Sequence, residues 1–408
     1  MRETTTQPSA ATLRRTLTLP LLVFYGLGVT IGAGIFALVG EVLALAGDRA
    51  PQSFLLAAII AGATGLSYAI LVRIYPRAGG EAIFVNRGLG KTAGFLAGFG
   101  VVLTAIISSA VITLAFAGYA ASFLPLPEPV LAIGILAILA AIACWGVRES
   151  VIFAAVITVL ELATLVLVAA FGLPQFVSPE TIAAAFTPPD SIASLNPVLA
   201  AAILAFFAFI GFEDIENMAE ETQDPARTAP RAILWTLGLT AIVYLAVSLV
   251  AASVPERELI STSNAPMAVL FELATGYPGD AVAVMASIAM INGILVQIVM
   301  AARVLYGMAG EGQMPAFLGR VHARRRTPVV ATLLTTAIIL LLAMIFPLVA
   351  LAEITSLITL AVFAMVNLSL FAIGRKSKDH LAARFHWWGI PAAALCMVIL
   401  FWNLAARV

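Results

Sequence analysis

Two stretches of this sequence could bind a charged small molecule through the backbone, because each places glycine inside a long apolar run. The first is GVTIGAGIFALVG, Gly28 to Gly40, and the second is AFFAFIGFED, Ala205 to Asp214. Glycine at mid-membrane favours an interrupted helix, whose freed backbone must face protein or a cavity. Close packing of helices through small residues is the other interpretation. At a break, free N–H groups suit a carboxylate and free carbonyls suit an ammonium group.

Carboxyl groups inside the apolar runs form a second set of candidates. Glu161 lies in the middle of VITVLELATLVLV, and Glu213 directly follows the second glycine stretch. Such groups are energetically unfavourable in a membrane and tend to be functional. The nearest base to Glu161 is Arg148, nearly 20 Å away along a helix, so we expect Glu161 to be protonated in at least one state. Both acids therefore have two interpretations, a site that gains and loses a proton or a structural hydrogen bond at a break.

Other chemistry is poorly supported by the sequence. The three histidines, His322, His380 and His386, fall outside the apolar runs, so they predict neither a metal site nor a catalytic dyad at membrane depth. A nucleotide-binding loop is not found, which argues against an ATP-driven pump. Cys144 and Cys396 lie in separate apolar runs and are interpreted as unpaired core thiols. We therefore expect a protein that is not an enzyme and uses no cofactor or metal.

The composition places these residues in a membrane. Of 408 residues, 62% are hydrophobic and 11% are charged, and the mean hydropathy is +1.06. A soluble domain carries about 25% charged residues, so a cytosolic enzyme and a nucleic-acid-binding protein are excluded. Most apolar runs reach the roughly 20 residues that cross a bilayer, which predicts an all-α integral membrane protein with 11 transmembrane helices. The runs are Pro20–Leu45, Phe54–Ile74, Thr92–Leu124, Val130–Val147, Val151–Leu173, Pro197–Met218, Ala232–Val254, Asp280–Met308, Pro328–Phe346, Ala350–Ile373 and Trp387–Ala405.

The basic residues predict the orientation of these runs. With the N-terminus in the cytosol, 19 of the 22 Lys and Arg residues fall on the cytosolic side, and only Arg49, Arg257 and Arg407 fall outside. This bias is the one that the positive-inside rule describes, and it puts the C-terminus outside. Arg303 and other cytosolic Arg residues are expected to pair with the acids that follow the second stretch: Glu216, Glu220, Glu221 and Asp224.

The two glycine stretches open two consecutive blocks of five runs, residues 18–173 and 197–373. Because five is odd, the two blocks have opposite orientations. An inverted repeat with both first helices interrupted is typical of a secondary transporter with a site near the membrane midplane. Residues 1–17 form a cytosolic tail, 174–196 an outer loop, and 374–408 an inner loop with the eleventh run. The outer loop Pro255 to Gly279 is expected to contain an amphipathic helix around Met267 to Leu273.

Four motifs, in order along the chain, resemble those of the amino acid–polyamine–organocation (APC) permeases, in the bacterial and cationic-amino-acid-transporter-like branch. They are GAGIF from Gly32, YPRAGGEAIFVNRGLG from Tyr75, FFAFIGFED with AEETQDPARTAPRAI up to Ile233, and RVLYGMAGEGQMPAFLGRVHARRRTP up to Pro328. The resemblance extends from about Leu17 to Ile373 and implies a LeuT-type core of ten helices. The family usually has twelve spans, and here the twelfth is absent.

The resemblance also implies a substrate site at the two breaks. The carboxylate of an amino acid would bind backbone N–H groups at Gly32, Ala33 and Gly34, and Phe207 would be a gating aromatic, unless it is a plain core residue. The ammonium group would bind the carbonyls of these residues: Ile31, Ala208, Phe209 and Ile210. The side-chain pocket would draw on uncharged residues of the third, eighth and tenth runs: Ile107, Ser108, Ser109, Ile288, Asn292 and Ser356. Asn292 and Gln297 have the alternative interpretation of polar ties between helices.

Glu161 departs from the family, whose proton-linked members often carry Lys at this position. The eighth run, VQIVMAARVLYG, lacks the paired hydroxyls that sodium coupling would require. The sequence thus predicts a secondary transporter of amino acids, neutral ones in view of the uncharged pocket, in the cytoplasmic membrane. It would be coupled to protons through Glu161 or Glu213, or act as an exchanger. A cationic amino acid or polyamine antiporter is the alternative, followed by a nutrient sensor that does not transport. Its partners are the substrate, protons and lipid; the oligomeric state is open.

Overall fold

The structure, a computed structural model, describes residues 15–77, 79–146, 151–310, 312–322, 325 and 327–405, with only the backbone of residues 151–154. Among these residues the fold is all-helical, without a β-strand. The α-helices are α1 (Leu19–Ala46), α2 (Ala50–Ile74), α3 (Gly80–Leu89), α4 (Lys91–Ala121), α5 (Glu128–Trp145), α6 (Val151–Phe176), α7 (Pro179–Phe186), α8 (Ile192–Phe207), α9 (Pro225–Ser253), α10 (Arg257–Ser261), α11 (Pro266–Thr275), α12 (Asp280–Gly310), α13 (Val329–Ile345), α14 (Leu348–Gly374), α15 (His380–Phe385) and α16 (Gly389–Ala405).

The long helices are those that the apolar runs predict. Nine apolar helical segments of the described chain are long enough to cross a membrane. The first of these, Leu19–Ile74, contains both α1 and α2, which are joined by a 3₁₀ turn over Gly47–Arg49. Helix α13 has 17 residues, one fewer than the shortest of these nine segments, Glu128–Trp145. The described residues therefore form between nine and eleven membrane-length helices, as expected for this type of membrane transporter, and the count of eleven stays a prediction.

Both predicted helix breaks are present. Helix α1 is interrupted at Gly32, whose backbone angles, φ 18° and ψ −139°, are not helical. Helix α8 ends at Phe207, and a 3₁₀ segment, Phe212–Glu221, continues the chain after a turn. Gly211 in that turn has a φ of 122°, which an L side chain rarely adopts. We refer to the interruptions around Gly32 and Gly211 as the first and second break.

The broken helices lie in the middle of the bundle. Helix α1 packs against α8, α9 and α2, and α8 packs against α2, while α4 packs against α12 and α14. An aromatic cluster fills the space between α14 and the second break: the ring of Phe363 lies 5.4 Å from that of Phe212 and 5.8 Å from that of Phe206. Tyr68 of α2 completes this cluster, 5.5 Å from Phe363. The assignment of residues 18–173 and 197–373 to two inverted repeats stays a prediction.

One end of the bundle, which we call the basic end, joins four separate parts of the chain in two pairs. The segment before α1 pairs with the segment after the second break through a backbone bridge between Leu17 and Thr222. At the end of α2, Arg73 forms an ion pair with Asp379, at 3.1 Å. Backbone N–H groups, chiefly that of Ala382, together with Arg73, lower the pKa of the Asp379 carboxyl. This end carries the residues that the sequence assigns to the cytosolic side.

Helices α10 and α11 cover the opposite end of α1. The backbone of α10 approaches so closely that a Cβ atom added to Gly40 would lie 2.9 Å from a carbonyl oxygen of that helix. The Tyr119 hydroxyl donates to the carbonyl oxygen of Phe36, at 2.7 Å, and accepts from the N–H of Met267, at 3.0 Å. Helix α11 includes the segment Met267 to Leu273, where the sequence predicted a helix. The loop helices thus close this end over the second half of α1.

Candidate functional site

The two breaks contact each other directly, and glycine makes the contact possible. A Cβ atom added to Gly34 would lie 2.6 Å from the Cα atom of Ala208. A Cβ atom added to Gly211 would lie 2.8 Å from the carbonyl oxygen of Val29. Real Cβ atoms essentially never approach other atoms within 3.0 Å. Each break therefore requires a glycine, Gly34 or Gly211, in order to pack against the other. A Cβ atom added to Gly32, in contrast, would meet nothing within 4 Å.

A tyrosine on a third helix ties both breaks together. The hydroxyl of Tyr244 in α9 lies 3.1 Å from the carbonyl oxygen of Thr30 and 3.3 Å from that of Ile31. The same hydroxyl lies 3.0 Å from the carbonyl oxygen of Ala208. Tyr244 is completely buried, and its ring packs edge-on against Phe209, with 5.0 Å between the ring centroids. The Tyr244 hydroxyl is thus a buried hydrogen-bond donor for backbone carbonyl oxygens at both breaks.

Glu161 lies next to this tyrosine. Its side chain is only 2% exposed, and its charge would act on the Tyr244 hydroxyl. Helix α6 reaches the first half of α1 at Gly28, where an added Cβ atom would collide with the Thr158 hydroxyl, one turn before Glu161. Among the described residues, Glu161 has no ion-pair partner. The carboxyl group therefore lies on a helix that packs against both α1 and α9, the helix of Tyr244.

A small cavity adjoins the second break. It encloses about 70 Å³ and is lined by residues of the breaks, α3, α4, α12 and α14. One wall is acidic and consists of Glu81, Glu213 and Asp214, while the other is neutral and includes Ser108 and Gln297. An engineered cavity of about 150 Å³ holds benzene, so a volume of about 70 Å³ is small for an amino acid with a side chain. Substrate entry would require the surrounding helices to move apart.

The acidic wall also shapes the second break. The N–H group of Gly211 donates to Glu213 Oε2, at 2.8 Å, so this carboxylate holds the turn by accepting from its backbone. Glu216, three residues further on, is completely buried and its Oε1 accepts from the N–H of Glu81, at 3.1 Å. The Tyr68 hydroxyl in turn donates to Glu81 Oε1, at 3.3 Å. Carboxylates thus connect α3 to the broken helix.

The expected pairing of these acids with arginine is only partly correct. Asp224 forms an ion pair with Arg227, at 3.7 Å. Arg303 is exposed and forms no ion pair with any described acid, so the prediction that it is a partner of this group is wrong. Glu216 instead contacts α3, because the glycine at position 80 leaves room for its carboxylate against the backbone.

The structure brings most of the predicted substrate residues to the two breaks. Ile31, Ala33, Gly34, Ile107, Phe207, Ala208 and Phe209 are buried, while Gly32, Ile210 and Asn292 are partly exposed. Ile210, Ser108 and Gln297 line the cavity, and the Ser108 hydroxyl donates to the Gln297 side-chain oxygen. The binding roles of all these residues stay predictions.

Five of the predicted pocket residues are not among the residues that line the cavity: Ile107, Ser109, Ile288, Asn292 and Ser356. Ser109 donates to the carbonyl oxygen of Ala105, at 2.7 Å, within its own helix. Ser356 of α14 donates to the carbonyl oxygen of Ile203 in α8, at 2.8 Å. Ile288 is 39% exposed and is not part of the described cavity lining.

Sequence reasoning missed Tyr244 and the acid at the start of α3. Tyr244 lies in the apolar sequence AIVYLAVS. The only signal for it in the sequence is that a polar side chain is rare in such a run. Glu81 belongs to one of the family motifs, but its contact with Glu216 brings two acids together, which charge reasoning does not predict.

Comparisons with known proteins agree with this architecture. Residues 17–406 match the family described as "Amino acid permease". The chain is 32% identical to the uncharacterized transporter Rv1999c of Mycobacterium tuberculosis, over 89% of this chain and 81% of that protein. It is 27% identical to the branched-chain amino acid permease BcaP of Bacillus subtilis, over 94% and 86% of the two chains. It is also 28% identical to the low-affinity putrescine importer PlaP of Escherichia coli, over 98% and 90%.

These matches span nearly the whole chain, and they include both breaks, Tyr244 and the helices that line the cavity. The chain therefore belongs to the amino acid permease family, within the APC superfamily of multi-pass membrane transporters.

Proposed function

We propose that this protein is a secondary active transporter that moves neutral amino acids across the cytoplasmic membrane by alternating access. The observation that carries the proposal is the direct contact of the two breaks beside a cavity. The hydroxyl of Tyr244 lies within hydrogen-bond distance of carbonyl oxygens at both breaks. Interrupted helices that meet near the membrane midplane are the usual substrate site of such transporters. The similarity to a branched-chain amino acid permease agrees with a neutral substrate.

The proposed substrate pose uses backbone groups for the two charges of the amino acid. The carboxylate binds the N–H groups of Ala33 and Gly34, which follow the first break. The ammonium group binds carbonyl oxygens at the ends of the interrupted helices, including those of Ile31 and Ala208. Tyr244 contacts both of these oxygens, and a carbonyl has a second lone pair that remains for the substrate. Phe207, which is 6% exposed, then serves as a gate on the predicted outer side.

The substrate side chain is proposed to extend toward the neutral wall of the cavity. Ser108 and Gln297 supply uncharged polar groups there, and Ile107 supplies apolar surface next to Ser108. Asn292 precedes Gln297 on α12 by five residues, about 1.4 helical turns, and is proposed to close the same pocket. An uncharged pocket would not compensate the extra charge of arginine or lysine.

Two carboxyl groups are proposed to couple transport to protons. Glu161 lies on α6, which packs against α1 and α9, and Glu213 accepts from the N–H of Gly211. Each could exchange a proton as the breaks rearrange, and the exchange would link transport to the proton gradient. Exchange of one amino acid for another without protons is the alternative mode.

A second candidate is transport of a cationic amino acid or a diamine. The observation that favours it is the acidic wall of Glu81, Glu213 and Asp214, which faces the cavity with no described base opposite to it. The similarity to a putrescine importer points the same way. In this case, the second ammonium group of the substrate would lie against the acidic wall.

Uptake into proteoliposomes tests the proposal. Purified protein is reconstituted and offered labelled leucine, alanine, arginine and putrescine, with and without an imposed pH gradient, and protein-free liposomes give the background. We expect leucine or alanine to show counterflow, and an inwardly directed proton gradient to raise their accumulation. Preferential counterflow of arginine or putrescine would establish the second candidate. Absence of counterflow for all four substrates would contradict both.

A further inference from the structure

A large pocket at the basic end combines positive charge with an apolar wall. It encloses about 900 Å³ between the end of α2, helix α3 and the start of α4. Four of its lining residues are cationic: Arg15, Arg77, Arg87 and Lys91. Arg77, Arg87 and Lys91 lie within one stretch of 15 residues, and Arg15 comes from the segment before α1. We call this concavity the basic pocket.

The four cations of the basic pocket have no described counter-ion. The ion pairs of the described residues involve Arg73, Arg227 and Arg257, and no acid lines the pocket. All four side chains are exposed, so solvent screens their mutual repulsion without removing it. A positive-inside bias explains cations on this face, but it does not explain why four of them converge on one concavity.

A helix N-terminus adds to this positive potential. Helix α4 has 31 residues and begins at Lys91, after Gly90, and no side chain caps its first turn. The free N–H groups and the helix dipole at such an end favour an anion. Tyr75 and Ile83 add apolar surface to the lining of the pocket. The pocket thus offers donors for a phosphate group together with surface for the first carbons attached to it.

We propose that the basic pocket binds a phosphate group, and that in the membrane the ligand is the headgroup of an anionic phospholipid. The pocket lies between the end of α2 and the start of α4, two membrane-length helices, and helices of this length end in the headgroup region of a bilayer. Clusters of Lys and Arg at the cytosolic ends of transmembrane helices attract anionic lipids. The site is separate from the two breaks and shares none of their residues, so it does not depend on the identity of the transported substrate.

Thermal-shift titrations of the purified full chain in detergent test this site. The probes are short-chain phosphatidylglycerol, short-chain phosphatidylcholine and inorganic phosphate. The test variant is Arg87→Gln with Lys91→Gln. The control is Arg375→Gln with Lys376→Gln, which removes the same two kinds of charge from the same end but outside the pocket.

We expect phosphatidylglycerol to raise the melting temperature of the wild-type protein and of the control. In the test variant, its apparent affinity should fall roughly thirtyfold, which corresponds to about 1 kcal/mol for each of two cations near an anionic ligand. A response to phosphatidylglycerol alone would identify a lipid site, and an additional pocket-dependent response to inorganic phosphate would show that free phosphate also binds. An equal loss in the control, or no loss in the test variant, would overturn the proposal. If the test variant is unstable without ligand, Arg77→Gln replaces it under the same criteria.

Discussion

Replacement of Tyr244 by phenylalanine should weaken substrate binding more than its effect on overall stability predicts. The substitution removes one hydroxyl and keeps the ring, so the edge-on contacts with Phe209 and Phe54 are preserved. What is lost is the only described side-chain donor to the carbonyl oxygens of Thr30 and Ala208, which belong to different breaks. The direct packing of the two breaks on one another would remain.

The expected magnitude follows from the geometry. The hydroxyl lies within 3.3 Å of three buried carbonyl oxygens but can donate only one hydrogen at a time. Loss of a buried hydrogen bond that leaves a polar group unsatisfied costs about 1–3 kcal/mol. If this energy is lost from the arrangement that binds substrate, apparent affinity falls by roughly 5- to 150-fold.

A second buried tyrosine provides the matched control. Tyr119 is also completely buried, and its hydroxyl takes part in two hydrogen bonds, but with Phe36 and Met267 at the opposite end of the bundle. Substrate affinity would be measured by scintillation proximity or by calorimetry, and stability by thermal melting. We expect Tyr119→Phe to lower the melting temperature at least as much as Tyr244→Phe while affinity stays near that of the wild type. Equal affinity in wild type and Tyr244→Phe would refute the tie between the breaks.

Three further substitutions test the site. Gly211→Ala should abolish uptake and lower the melting temperature, because its φ of 122° and the close carbonyl oxygen exclude a side chain, whereas Gly238→Ala, where an added Cβ atom meets nothing within 4 Å, should change neither. The Glu161→Gln variant should still exchange substrate but lose its response to a pH gradient. If a pH gradient still drives accumulation in this variant, Glu213 becomes the candidate for proton coupling. Phe207→Ala should weaken the apparent affinity for substrate and raise leak, whereas Phe171→Ala, on the exposed face of α6, should change neither. Identical transport by the two variants would contradict a gating role for Phe207.

The positions of the breaks could be predicted from the sequence because they depend on local chemistry. Glycine within an apolar run, followed by acids, is a local pattern, and both interruptions lie where that pattern occurs, at Gly32 and Gly211. The long helices follow for the same reason, since a continuous apolar run has few alternatives to a membrane-length helix.

The contacts between the breaks could not be predicted, because they depend on which residues meet across the bundle. Gly34 was expected to leave room for a substrate carboxylate, but its Cα atom faces Ala208 so closely that a larger residue would separate the breaks. Gly34→Val would therefore test packing of the breaks before it tests carboxylate binding. The role of Tyr244 could not be predicted for a related reason. Its partners are backbone carbonyls, and the sequence does not show which carbonyls become free of helical hydrogen bonds.

The acids near the second break show the same limit for charges. Opposite charge predicted an arginine partner for Glu216, whereas the side chain accepts from the backbone N–H of Glu81. A backbone donor satisfies a carboxylate as well as a cation does, and any residue can supply it. Charge complementarity therefore predicts exposed pairs such as Asp224 with Arg227 better than it predicts buried carboxylates.

Protection of a single cysteine by substrate tests most directly whether the substrate binds between the breaks and the cavity. Cys144 is replaced by alanine and Cys396 by serine, which preserves the hydrogen bonds of the latter with Thr64 and Asn367. Ser108→Cys then places the only thiol of the chain on the neutral wall of the cavity. We predict that a transported amino acid slows maleimide labelling of this thiol in a saturable manner, with a half-effect concentration that matches its uptake. Unchanged labelling at a concentration that saturates transport would contradict the proposed site.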